Sequence, residues 1–130
     1  MAIKISELSV GDWVRCGEDT TPYKIIGIDS NVHPNVTLCD SYYPQGVIAF
    51  LDMIHPIPIT TEMLKKNGFE KSRYYWTAYH DNGDYVEIYN DGDKWYLSVN
   101  SVEYILCPLH WVHQIQHLLR VWGIDKEINL

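Results

Sequence analysis

Residues 109–122 read LHWVHQIQHLLRVW. Trp111, Val112, Ile115, Leu118, Leu119 and Trp122 recur at spacings of three and four, the period of an amphipathic helix. At about 100° per residue these side chains share one arc, and His110, His113 and His117 fall within roughly 60° of one another on the opposite arc. The spacing predicts a helix over Leu109 to Trp122, with one face closing a core and the other meeting water, a metal or a partner. Trp122-Gly123-Ile124 ends it: Gly123 suits the left-handed C′ position, and Ile124 is expected to meet Leu119.

The residues before this helix supply a sheet for it to cover. Arg73 to Tyr79, Tyr85 to Tyr89, Trp95 to Val99 and Val102 to Leu106 read as a four-stranded antiparallel meander. Asn82-Gly83 and Asp91-Gly92 suit type I′ hairpin turns at the first two connections, and Asn100-Ser101 marks the third. Alternation places Tyr85, Glu87 and Tyr89 on one face and Val86 and Ile88 on the other. Tyr74, Tyr75, Trp76, Tyr79, Tyr85, Tyr89, Trp95, Tyr96 and Tyr104 crowd these strands. One helix covers one face, which leaves rings on the second.

Further upstream, Thr60 or Thr61 caps a short helix with Glu62 in its first turn and Gly68 at its end, so that Phe69 packs on Leu64. His55-Pro56-Ile57-Pro58-Ile59 is held extended by its prolines and reads as a connector. Ahead of it, Trp13 to Arg15, Tyr23 to Ile28, Val36 to Cys39 and Val47 to Met53 read as four short strands. GEDTTP, DSNVHPN and SYYPQG separate them and are rich in turn formers. Leu8-Ser9-Val10-Gly11-Asp12-Trp13-Val14 resembles the entry strand of SH3-like barrels. The expected architecture is therefore α+β: a small SH3-like β-barrel half over residues 1–55, then a helix-meander-helix half over residues 56–130, together one compact unit.

Two groups of residues resemble a known family. They are Pro56-Ile57-Pro58-Ile59-Thr60-Thr61-Glu62-Met63-Leu64 with Gly68-Phe69, and Val112-His113-Gln114-Ile115-Gln116 with Leu118. The resemblance is to small uncharacterised proteins of Bacteroidetes bacteria and their phages, which have an IPLT-type helix start and a VHQLQ-type C-terminal helix. Gly11-Asp12-Trp13-Val14 is a looser match. The resemblance implies a compartment and a genetic context and carries no activity. Family helices continue with a small aromatic run where this chain has His117-Leu118-Leu119, so no role for His117 follows from it.

Composition narrows the function classes. The 130 residues are 46% apolar and carry a net charge of -7, with 3 basic and 7 acidic side chains in residues 1–60 and 7 and 10 in the rest. A field of this sign repels phosphate backbones and anionic membranes, so neither nucleic acid nor a membrane is an expected partner. No segment approaches the ~18 apolar residues of a membrane span, and MAIKISELSV lacks an apolar run of signal-peptide length; the expected compartment is the cytoplasm. Cys16, Cys39 and Cys107 are an odd number at wide spacing, which suits reduced thiols rather than a disulfide framework.

Motifs for chemistry are sparse. No GxSxG elbow, GxGxxG loop or Walker sequence occurs, and the Asp-Asn-Gly-Asp and Asp-Gly-Asp runs at 81–84 and 91–93 are hairpin chemistry rather than calcium loops. No cofactor is implied. Cys107, His110, His113 and His117 follow at zinc-like spacings of three, three and four, but no second cluster completes a site, so His110, His113 and His117 remain candidates without an assigned metal. His113 and Gln116 flank the apolar arc, either satisfying backbone groups at the rim of the sheet or donating to a ligand. The expected function is non-enzymatic binding of a protein partner or small polar ligand through Tyr74, Trp76, Tyr85, Tyr89, Trp95, His113 and Gln116. The rival readings are a small metal-dependent or hydrolytic enzyme using the histidine face, and an assembly protein acting by self-association as a homo-oligomer.

Overall fold

The chain divides at its proline connector into two units, Met1–Ile57 and Pro58–Leu130. The computed structural model describes residues 3–73, 75–79, 83–92, 94–99, 109–121, 123–124 and 126–130. Among the described residues, two helices and two antiparallel sheets make it an α+β protein, and no helix is long and apolar enough to cross a membrane.

In the first unit, β1 (Trp13–Cys16), β2 (Tyr23–Asp29), β3 (Asn35–Cys39), β4 (Val47–Phe50) and β5 (Ile54–Pro56) form one sheet in the order β4-β3-β2-β1-β5. Three of its turns have an aspartate at their head, a residue that substitutes its own carboxylate for a backbone acceptor. Asp19 accepts the Thr21 N–H at 2.9 Å, Asp29 that of Asn31 at 3.1 Å, and Asp40 those of Tyr42 and Tyr43 at 2.9 and 2.8 Å. Alternation then sends Val14, Ile25, Val36, Leu38, Ala49 and Ile54 into a common core, joined by Ile3 and Leu8 from the lead-in. A bulge between Ile25 and Gly27 inserts Ile26 into β2 and leaves its side chain exposed.

The structure departs from the sequence expectation in three places. The strand expected through Met53 stops at Phe50, and Leu51–Met53 is a 3-10 turn. Part of the connector is a fifth strand, pairing Val14 with Pro56, Arg15 with His55 and Cys16 with Ile54. Proline does keep this segment extended, but extended chain beside an open sheet edge pairs with it, and an edge tolerates a residue without N–H. Finally, no ladder joins β4 to β5 among the described residues, so the sheet is open rather than a closed barrel.

The second unit holds α1 (Thr61–Lys66), a sheet of β6 (Glu70–Lys71), β7 (Trp76–Tyr79), β8 (Tyr85–Asp91) and β9 (Lys94–Val99) in that order, and α2 (Val112–Val121). Thr60 is the N-cap, its hydroxyl accepting the Met63 N–H at 3.2 Å. Both helices end in the expected glycine motif: Phe69 N–H donates to the Leu64 carbonyl past Gly68 (φ 81°), and Ile124 N–H to that of Leu119 past Gly123 (φ 69°). Among the described residues the sheet has four strands, one of which was not expected. Its first is the two-residue β6, and the expected Arg73 to Tyr79 strand begins only at Trp76, because the Ser72 N–H and hydroxyl both bond the Tyr75 carbonyl. Asp91 pairs with Lys94, so Gly92 (φ 69°) follows the strand instead of sharing a turn centre with Asp91. The strand expected at Val102 to Leu106 lies outside the described residues.

The long helix is shorter than its period suggests and is rotated about its axis. Leu109 is extended and exchanges both backbone hydrogen bonds with Trp95 at 2.7 and 3.3 Å, while the His110 carbonyl accepts the Ile59 N–H at 3.1 Å. Apolar Leu109 and Trp111 around polar His110 satisfy a two-residue alternation as well as a helical one, and the strand edge selects the former. Gln114 then caps the helix by accepting both the His110 and Trp111 N–H groups at 2.8 and 3.1 Å. Val112, His113, Ile115, Gln116 and Leu119 are buried, whereas Leu118 is half-exposed. The buried arc is thus turned roughly 70° toward His113 and Gln116 from the one that apolarity alone selects, at 3.6 residues per turn.

Asn67 ties the C-terminal segment to α1. Its amide donates to the Met63 and Asn129 carbonyls, each at 2.8 Å, and its carbonyl oxygen accepts the Asn129 N–H at 2.7 Å. Removing such a side chain leaves buried groups unpaired, so Asn67→Ala is expected to destabilise by about 1–3 kcal/mol in urea melts. In the same measurement Ile115→Ala should cost about 2–5 kcal/mol, and Leu118→Ala clearly less, since only the former is fully buried. Equal losses would contradict the rotation of α2.

Candidate binding surfaces

Register assigns the faces of the second sheet, because directly paired residues of antiparallel strands project to the same side. Trp76 pairs with Ile88 and Ile88 with Leu97; Ala78 pairs with Val86 and Val86 with Val99. These rows make the inner, apolar face. The outer face carries Thr77, Glu87 and Ser98 in one row, Tyr79 with Tyr85, and Tyr89 with Tyr96. Its rings touch across strands: Tyr89 stacks on Tyr96 with centroids 5.1 Å apart, Tyr75 meets Tyr89 edge-on at 5.9 Å, and Tyr79 leans on Tyr85 at 5.7 Å. Cross-strand aromatic pairs of this kind stabilise a sheet on their own account. Tyr79 is nevertheless 76% exposed, Tyr75, Tyr85, Tyr89 and Tyr96 are partly so, and Ser98 is fully buried, so the face is open at the Tyr79 end and covered beside Ser98.

The structure separates the residues that the sequence grouped. Tyr85 and Tyr89 lie on the tyrosine face, whereas Trp76 and Trp95 are buried on the opposite one, and Tyr74 lies outside the described residues. Alternation alone could have placed Trp76 and Trp95 on the inner face, given Val86 and Ile88 and the pairing. His113 and Gln116 are buried on α2, at 3% and 7% exposure, rather than at a wet rim.

The expected histidine face does not form. His110 precedes α2 and is exposed, His113 is buried, and only His113 and His117 are neighbours, with ring centroids 5.6 Å apart. Cys107 lies outside the described residues, and among those residues no group of three histidine, cysteine or acidic side chains is placed to hold a metal.

Three features were not read from the sequence. A cavity of about 440 Å³ on the inner face of the second sheet is lined by Thr61, Lys71, Arg73, Trp76, Asn90 and Trp95. In the first unit, a cleft of about 600 Å³ is walled by Ile3, Pro34, Phe50, Leu51 and Ile54, with His33, Asp52 and His55 as its polar members. Next to it, the edge strand β4 exposes Ile48 by 67% and Phe50 by 58%, on the side of the sheet away from Val36 and Leu38. Only the apolar spelling of β4 hinted at the last of these, and strand edges are not spelled in sequence at all.

Titration behaviour is distinctive at the first turn of the first unit. The Asp19 carboxyl is held below its usual range chiefly by the Thr21 N–H, with the Tyr23 hydroxyl assisting at 2.8 Å. That hydrogen bond, followed by desolvation, pushes the Tyr23 phenol from 10.0 up to about 12. Burial, with the Asp19 charge assisting, raises the Cys16 thiol and so lowers its thiolate content. No family model, curated protein or solved structure matches the chain.

Because the folded protein holds the Tyr23 proton more tightly than the unfolded chain, the stabilisation from this group is complete below pH 10 and is lost as pH rises toward about 12. Asp19 acts in the opposite sense, its contribution being lost as pH falls through its lowered pKa. Ultraviolet titration is expected to show a phenol ionising near pH 12 that disappears in Tyr23→Phe and moves down in Asp19→Asn. A curve unchanged by Asp19→Asn would show that the carboxylate does not set the shift.

Proposed function

We propose that this chain is a non-enzymatic binding protein of bacterial or phage origin, acting in the cytoplasm, that engages a protein partner through the tyrosine face of β7, β8 and β9. The observation that carries this reading is the cluster of Tyr75, Tyr79, Tyr85, Tyr89 and Tyr96 on one side of one sheet, with Tyr79 largely open to water. Tyrosine combines a large apolar area with a polar tip and little side-chain entropy to lose, which is why it is prominent among binding hot spots. The net charge of -7 supports a protein rather than a nucleic acid or an anionic membrane as the occupant. The resemblance of the IPIT and VHQIQ segments to Bacteroidetes and phage proteins supports the origin. For the first unit, the strand order β4-β3-β2-β1-β5, with a 3-10 turn before β5, supports a fold of SH3-like kind.

The enzyme alternative has less support than the tyrosine face, since His110 is exposed ahead of α2 while His113 is buried on it. Self-association is the second reading, and β4 favours it. Residues 41–51 contain no charged side chain in a chain of net charge -7, so two copies can bring these apolar edges together without like-charge repulsion.

Immobilised wild type, Tyr79→Glu and Ile48→Glu separate the two readings when captured proteins are cross-linked and identified and native masses are compared. The partner set of the wild type is expected to be lost from Tyr79→Glu, with affinity down at least about tenfold, and kept by Ile48→Glu. Retention of the same partners by a folded Tyr79→Glu variant would sink the tyrosine-face reading, and a native mass that falls to one chain only in Ile48→Glu would favour the second.

A further inference from the structure

The inner face of the second sheet changes character along the strands. Its rows Ala78–Val86–Val99 and Trp76–Ile88–Leu97 are apolar, but the next row pairs Asn90 with Trp95. Lys71 pairs with Trp76 across β6 and β7, which places it on the same side, and its ammonium stands 5.9 Å from the centroid of that indole. Here the cavity of about 440 Å³ opens, with Thr61 and Arg73 completing its wall. Two cations, two indoles, an amide and a hydroxyl converge on a volume within the roughly 300–1,000 Å³ of small-molecule sites.

Charge makes this cavity unusual for the chain. Acidic residues outnumber basic ones by 17 to 10, yet among the described residues the lining holds Lys71 and Arg73 and no carboxylate. Three acidic neighbours in sequence are turned elsewhere: Glu70 pairs with Thr77 and Asp91 with Lys94, both on the outer side of the sheet, and Glu62 is exposed on α1. A concavity of opposite sign to the surrounding surface attracts what the rest of the protein repels. Guanidinium is matched to oxyanions and stacks on flat rings, while indole edges and faces accept planar apolar bodies.

We propose that this cavity binds a small organic oxyanion carried on a flat aromatic ring, a phosphate monoester or carboxylate. The oxyanion meets Lys71 and Arg73, the ring lies against Trp76 and Trp95, and the Asn90 amide and Thr61 hydroxyl fix its orientation. This site lies on the face opposite the tyrosines and does not depend on the protein-partner reading.

Calorimetry on the full chain with phenyl phosphate, benzoate, inorganic phosphate and benzyl alcohol tests it. Single-site binding of phenyl phosphate or benzoate is expected, and which binds more tightly identifies the oxyanion. Inorganic phosphate and benzyl alcohol should bind at least about tenfold more weakly than the better of those two, since each supplies half of the recognition. Lys71→Gln, at an exposed position, should weaken the better probe by about tenfold, whereas Lys71→Arg should retain most of the affinity. Asn90→Ala, also exposed, should weaken it severalfold and carries the test if Lys71→Gln lowers the melting temperature. The proposal is overturned by the absence of saturable heat up to about 10 mM of either probe. It is also overturned by inorganic phosphate binding as tightly as phenyl phosphate, or by folded Lys71→Gln and Asn90→Ala variants that bind like the wild type.

Discussion

Ile88 sits opposite Trp76 on one side and Leu97 on the other, and that pairing assigns every residue of β7, β8 and β9 to a face. A shift of one residue would turn the tyrosines inward and put Val86 and Ile88 in water, exchanging a fully buried row for a half-polar one. The register is therefore held by apolar burial, at about 25 cal/mol for each Å² removed from water. Both candidate surfaces are consequences of it. The tyrosines gather on the outer face because the aliphatic residues occupy the inner one, and the cavity appears where the inner rows change from Ile88 and Leu97 to Asn90 and Trp95.

Acidity in the first unit serves partly as turn chemistry. Asp19, Asp29 and Asp40 each spend a carboxylate on the backbone N–H groups of a strand connection, so three of the seven acidic residues in residues 1–60 hold such connections before any partner is considered. Their charge remains at the surface and still repels polyanions. The inference from net charge to partner class and the inference from sequence to turns thus draw on the same residues, and both can hold. The cavity at Lys71 and Arg73 shows how little a chain-wide charge says about one site.

The start of α2 shows how a polar side chain can displace a helical period. Leu109 has a strand partner in Trp95, and Gln114 supplies an acceptor for the N–H groups of His110 and Trp111, so the helix begins three residues later than its apolar spacing allows. With His110 outside the helix, the one-turn spacing that suggested a metal site no longer describes a common face. Burial of His113 and Gln116 then follows from the rotation of α2, which seats Val112, Ile115 and Leu119 most deeply.

Local signals were legible wherever one residue sets its own backbone. Gly68 and Gly123 end helices because they tolerate positive φ, Thr60 begins one because its hydroxyl reaches Met63, and the prolines at 56 and 58 keep their neighbours extended. Alternation in β8 likewise tells its two faces apart without reference to the fold. What the sequence by itself could not decide was which segments meet: that extended 54–56 becomes an edge strand on β1, that Glu70–Lys71 opens the second sheet, that Leu109 pairs with Trp95, and that α2 buries His113 instead of Leu118. Each depends on hydrogen-bonding groups or apolar area offered by a distant part of the chain. An extended or amphipathic segment is compatible with several such partners, so only the tertiary structure selects among them.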